Sequence, residues 1–243
     1  MSRARHNAGM SLPRLNTIER STLWDRAYAA LKSALLAGKF APGERVVLRQ
    51  VADDLGISLT PVRDAVNRLI AEKVLERGGL GPGGAAVVPL LDADQFGQLM
   101  SVRVNLEPMA AAAAAAHATP EGLAAVEEQL VGMKRWVQEQ ETARYLEAHY
   151  QFHFRIYDMC RMPIVEEIIE NAWLRCAPTL RLGLPQYIPG LKRYEHHLST
   201  LDALARGDGE KAAAGIRSDI ESARADIVAL LLEQQARQAN TPS

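Results

Sequence analysis

Residues 48–76 read LRQVADDLGISLTPVRDAVNRLIAEKVLE, and this stretch decides the fold of the first third of the chain. Leu48, Val51, Ala52 and Leu55 fall on one face of a short helix. Gly56 follows, where a helix stop calls for positive φ. Thr60-Pro61 reads as an N-cap and a first-turn proline, so a second helix is predicted to begin there. Val62, Ala65, Val66, Leu69 and Ile70 stripe its inner face at helical spacing. Two short helices about a tight turn, with a strand-prone run behind them, have the form of a helix-turn-helix. In that motif the second helix lies in the DNA major groove and offers N-terminal residues to base edges.

Outward from this pair, the flanks complete a domain. Residues 1–17 are polar, carry Arg3, Arg5 and Arg14, and read as a disordered tail. Residues 20–38 form an amphipathic helix with Leu23, Ala27, Ala30, Leu31, Ala34 and Leu35 inward, ending near Gly38. FAPGERV is a turn built on Pro42-Gly43. VLER reads as a strand, GGLGPGG as a hairpin tip and AAVVPL as the return strand. Three helices and a two-stranded wing make a winged helix-turn-helix over residues 18–90. From residue 91 to 243 no strand alternation appears. Six or seven helices are expected there, at about 92–117, 120–139, 142–159, 163–183, 190–206 and 209–236. Pro108 should kink or break the first of them. Arg206-Gly207-Asp208 reads as a helix stop followed by an N-cap. The predicted fold class is mostly α, a winged head followed by an all-helical bundle.

Composition narrows the function classes. The chain has 243 residues, 48% of them hydrophobic, enough for a packed core. The longest apolar tract, the alanine run at 110–116, falls short of the roughly 20 residues that a membrane span needs. No signal peptide is evident. Cys160 and Cys176 lack metal-type spacing and read as reduced thiols of a cytoplasmic protein. The net charge of −1 conceals an asymmetry: residues 1–90 hold 13 Lys/Arg against 8 Asp/Glu, and the remainder 15 against 21. A basic head on an acidic body suits a DNA-binding unit joined to a sensing or dimerising one.

These motifs together resemble a known family. LWDRAYAALKSALLAGKFAPGERV followed by the helix pair resembles the head of GntR-type bacterial transcription regulators. RVNLEPMAAAAAA, YQFHFRIYD and HLSTLDALARGDGEKAAAGIRSDI resemble the FCD ligand-binding body of the FadR/VanR branch. The resemblance spans about residues 20–235. It implies a homodimer, usually a repressor, that binds an inverted-repeat operator in double-stranded DNA. A small carboxylate effector would change its grip.

Arg63, in the first turn of the second helix, has the planar fork that suits guanine O6/N7. Arg49 matches the family's other DNA-contacting arginine, and Ser58 and Thr60 can donate to phosphates. Arg68 and Arg77 read as solvated surface. Where the family has a basic residue this chain has Leu59, which can pack on a thymine methyl but cannot pair with guanine.

His149 and His153 lie four apart, on one helix face. Taken alone such a pair is more often surface or core than ligand. The resemblance adds His197 and Asp219. The FCD pattern has Asp where His149 stands and His where Asp219 stands, so the two residue types are exchanged and the implied set remains three imidazoles and one carboxylate. That set suits a divalent metal, zinc first, with nickel or iron as alternatives. Arg103 matches the family's R-x-x-L-E and would pair with an effector carboxylate. An ion pair with Glu107 at i+4 is the competing reading. The family's Gly-Asn after the FH helix is replaced by Arg161-Met162.

Two other functions compete with an effector-responsive, non-enzymatic regulator. One is a metal-dependent enzyme acting on a small organic acid, with an accessory DNA-binding head; neither Glu147 nor Asp158 has a spacing that singles it out as its general base. The other is a regulator whose body only dimerises.

Overall fold

A computed structural model describes residues 23–78, 85–183 and 194–239. The polar N-terminal tail and the wing tip expected from sequence lie outside these residues.

The head opens with α1, Leu23–Leu36. Its buried face is Ala27, Leu31, Leu35 and Leu36, while Leu23 is half exposed. Strand β1, Arg45–Val46, follows, then α2, Leu48–Leu55, and α3, Leu59–Ala71. Gly56 closes α2 at φ 63°, as the sequence predicted. Leu55 turns outward, so only Leu48, Val51 and Ala52 of the α2 stripe reach the core.

The start of α3 differs from expectation. Ser58, with extended backbone, is the N-cap, and Thr60-Pro61 sits inside the first turn. Pro61 fits there because the first turn's N–H groups have no partner within the helix. Val62, Ala65, Val66 and Leu69 are the buried stripe.

The wing is three-stranded. Strands β2, Glu76–Gly78, and β3, Ala85–Val87, pair antiparallel with Arg77 opposite Ala86. Strand β1 adds to the other edge of β3, Val46 opposite Ala86. From sequence, Arg45–Val46 reads as part of a turn, since two residues are too short to show alternation.

The body holds six α-helices among the described residues: α4, Ala93–Ala115; α5, Pro120–Gln138; α6, Thr142–Tyr157; α7, Pro163–Leu180; α8, Tyr194–Ala205; and α9, Gly209–Ala239. A 3-10 turn, Arg181–Gly183, extends α7. Asp92 starts α4 with a capping box: its Oδ1 accepts from the Gln95 N–H at 2.7 Å, and its own N–H donates to Gln95 Oε1 at 3.1 Å. Pro108 does not break α4. Both halves of α4 are buried against neighbouring helices, and that packing outweighs the roughly 3 kcal/mol a mid-helix proline costs. Gly207, at φ 69°, and Asp208, whose Oδ1 accepts from the Lys211 N–H, form the expected turn between α8 and α9. Arg161 takes φ 56° at the position where the resembled family has glycine. That left-handed conformation is costly for a residue with a Cβ.

Head and body meet along α1, α6 and α7. Lys32 Nζ lies 2.6 Å from Glu170 Oε1. Asn171 donates from its side-chain amide to the Glu72 carbonyl, just past the end of α3, at 3.1 Å. Arg68 is exposed, as expected, and it also lies over the Trp24 and Tyr28 rings and bonds Glu72 Oε1 at 2.7 Å. At Gly38, φ is 64° and a Cβ would sit 2.6 Å from Leu146 Cδ1, so a side chain there would be strained and would push Leu146 aside where the end of α1 meets α6.

Candidate nucleic-acid interface and metal centre

Arg49 lies in the first turn of α2, Ser58 caps α3, and Thr60 and Arg63 follow in the first turns of α3. All four are exposed. The Ser58 hydroxyl makes no capping bond. Leu59 is half-buried and packs against the head's core, which leaves little of it for a thymine methyl.

In the body, α6 presents His149 and His153 one turn apart, α8 brings His197, and α9 brings Asp219. One potential ligand atom from each lies within 4.8 Å of those of the others. His153 Nε2 is 3.3 Å and His149 Nε2 3.9 Å from Asp219 Oδ2, and His197 Nε2 is 3.4 Å from Oδ1. His153, His197 and Asp219 are buried, while the His149 side chain is 15% exposed. The exchanged Asp and His therefore meet on the same point.

This donor set fits a divalent cation. His153 Nε2, His197 Nε2 and Asp219 Oδ1 are buried without a hydrogen-bond partner. Such orphaned groups are costly, and lone pairs facing one another call for a cation between them. Zinc bonds of about 2.0–2.1 Å place tetrahedral ligand atoms roughly 3.3 Å apart, close to the 3.3 and 3.4 Å between Asp219 and His153 and His197, while the set as a whole is looser, within 4.8 Å. Burial pushes His149 down to about 3, against the opposing pull of Asp219, and lowers His153 in the same way. Both imidazoles are thus neutral at pH 7, the form that binds metal. Burial alone would raise Asp219, but its three histidine neighbours, His197 first, hold it well below the usual carboxylate range.

A layer of contacts the sequence did not reveal surrounds the cage. His153 Nδ1 lies 3.0 Å from the Tyr157 hydroxyl, which donates to Glu107 Oε2 at 2.6 Å. Arg103 donates to the same carboxylate from Nε at 2.6 Å and Nη2 at 3.3 Å. The ion pair expected as the alternative role of Arg103 is therefore present, fully buried. Arg103 also stacks on Trp173 at 3.9 Å. Beyond the Arg103–Glu107 pair, only Tyr157 had a local signal, its i+4 spacing from His153. Trp173 and Leu36 had none.

Arg103, Trp173, His149 and Asp219 line one cavity, with Leu36 of the head and Ile220 of α9. The Trp173 Nε1–H is buried and unpartnered.

A winged helix-turn-helix with exposed arginines at its reading end, joined to a helical body with a mostly apolar pocket that holds a few polar groups, is the architecture of a DNA-binding transcription regulator. The comparisons with known proteins agree. Residues 23–81 match the bacterial regulatory proteins of the gntR family, and residues 98–222 match the FCD domain. The chain belongs to the GntR family and carries an FCD domain. It is 30% identical over 207 residues to the HTH-type transcriptional regulator McbR of Escherichia coli, covering 85% of this chain and 91% of McbR. A solved structure of E. coli McbR/YncC superposes with a TM-score of 0.76 at 30% identity, over 88% of this chain and 99% of that one. The Nta operon transcriptional regulator of Aminobacter aminovorans is 28% identical over 185 residues, covering 75% of this chain and 83% of that protein. These relatives are transcriptional regulators, and the enzyme reading falls with them. No described helix is long and apolar enough to cross a membrane.

Proposed function

We propose that this protein binds an inverted-repeat operator as a homodimer, usually to repress, and that a small carboxylate effector changes its affinity. His149, His153, His197 and Asp219 would hold a divalent metal, zinc first. The observation that carries the reading is the set of orphaned ligand atoms at the edge of a cavity walled by a buried arginine. The metal would supply Lewis acidity for an effector carboxylate. Arg103 would supply a charge-assisted partner without leaving Glu107, which it holds through Nε and Nη2, while its Nη1 lies 3.6 Å from the Met100 sulfur. The free Trp173 N–H adds a neutral donor on the same wall.

The test is a thermal-shift screen of small mono-, di- and hydroxy-acids against metal-loaded and chelator-treated protein. Stabilisation by an acid only when metal is present supports the reading. No shift with any acid, in protein carrying stoichiometric metal, counts against the effector pocket.

At the head, Arg49 and Arg63 would contact bases, and Ser58 and Thr60 phosphates. Arg63→Ala is expected to weaken operator binding by about 1–3 kcal/mol and relax specificity at one base. Fluorescence anisotropy on operator variants measures both. A uniform loss across all variants would make Arg63 a phosphate contact instead.

A further inference from the structure

We infer that Tyr157, held by Glu107, is a positioning residue for the metal ligand His153, an inference that rests on the metal reading above. The hydroxyl of Tyr157 has one proton, and the 2.6 Å bond to Glu107 Oε2 uses it. Toward His153 Nδ1, at 3.0 Å, the hydroxyl can therefore only accept. His153 must carry its proton on Nδ1, which leaves the Nε2 lone pair facing Asp219, where the ligand atoms converge.

Glu107 is itself fixed. Arg103 grips it with two donors, and Arg103, Glu107, Tyr157 and His153 are all buried. Water does not compete for any link, and the donations converge on the Glu107 carboxylate, from Arg103 on one side and from His153 through Tyr157 on the other. Partners that hold a ligating imidazole in one tautomer and orientation typically contribute tenfold to a hundredfold in metal affinity. Glu107 is on α4 while Tyr157 and His153 are on α6, so the chain also ties the cage to a helix that gives it no ligand.

The test uses the full-length protein. Zinc affinity is measured by competition with a chromophoric chelator for wild type, Tyr157→Phe and Glu107→Gln, and cobalt(II) is added to each to record its visible absorption. Wild type is expected to bind one zinc per chain, and Tyr157→Phe to bind it about 10–100-fold more weakly, with an altered cobalt spectrum. Glu107→Gln, which keeps an acceptor for the hydroxyl, should fall between them, and it carries the test if Tyr157→Phe does not fold. A purely structural tyrosine would lower the melting temperature of the metal-free variant but leave zinc affinity and the cobalt spectrum of the folded protein unchanged. That outcome overturns the inference and leaves the metal reading standing. A wild-type protein that binds no zinc overturns both.

Discussion

Arg103→Met is expected to cost about 3–5 kcal/mol of stability, one of the largest single losses available in the body. Methionine fills most of the space, so the loss is not chiefly a cavity effect. It comes from Glu107, which is 0% exposed and would lose its guanidinium partner, keeping the Tyr157 hydroxyl. In the native protein burial alone would lower the Arg103 pKa, but the charge and hydrogen bonds of Glu107 raise it, so the pair is held mutually. The pair need not add net stability, because two charges left water to form it. Replacing both residues, as Arg103→Met with Glu107→Leu, should therefore recover a substantial part of the loss. Urea titration of the three variants measures the difference. A single-variant loss under about 1 kcal/mol would mean that water reaches Glu107 and that the pair is not desolvated.

Asp219→Ala and His197→Ala are each expected to abolish metal retention, from about one zinc per chain in the native protein to a trace. In native protein, metal free at a hundred times its dissociation constant adds roughly 2.7 kcal/mol to stability. For a chain of this length that is a rise of about 5–10 °C in melting temperature. Both variants should lose that rise. Elemental analysis after dialysis, with melting curves with and without added zinc, reads the two effects together. Full metal content in either variant would remove that residue from the ligand set. Asp219→His, which restores the family's residue at that position, places a fourth imidazole opposite three others. It is expected to bind zinc more weakly than native protein, because the carboxylate that offsets the metal's charge is gone.

Much of the head could be read from residues 48–76, because the helix stop at Gly56 and the α3 stripe are local signals. The misreadings share a cause, namely competition between equally valid local rules. Ser58 and Thr60 are both good caps, and Pro61 is tolerated anywhere in a first turn, so propensity could not choose between them. Pro108 ought to interrupt a helix, yet α4 is packed along its length and tertiary contacts win. Strand β1 exists only because β3 offers it an edge. In the body, the 149/153 spacing was visible without help. His197 and Asp219 came only through likeness to a family, since 44 and 66 residues separate them from His153 and no periodicity links elements that distant. The Tyr157–Glu107 contact crosses 50 residues and could not be read from either helix alone.

Leu36 belongs to the winged head, yet it forms part of the wall of the cavity in the helical body. Any rotation of α1 against α6 and α7 therefore reshapes the space a ligand would fill. Thermodynamic reciprocity follows from that shared wall. By whatever factor an occupant shifts the equilibrium between protein and operator, the operator must shift the occupant's affinity by the same factor. Chains seated on a promoter and chains free in solution would then respond to one metabolite at different concentrations, and the number of operator copies would help set the threshold at which the gene switches.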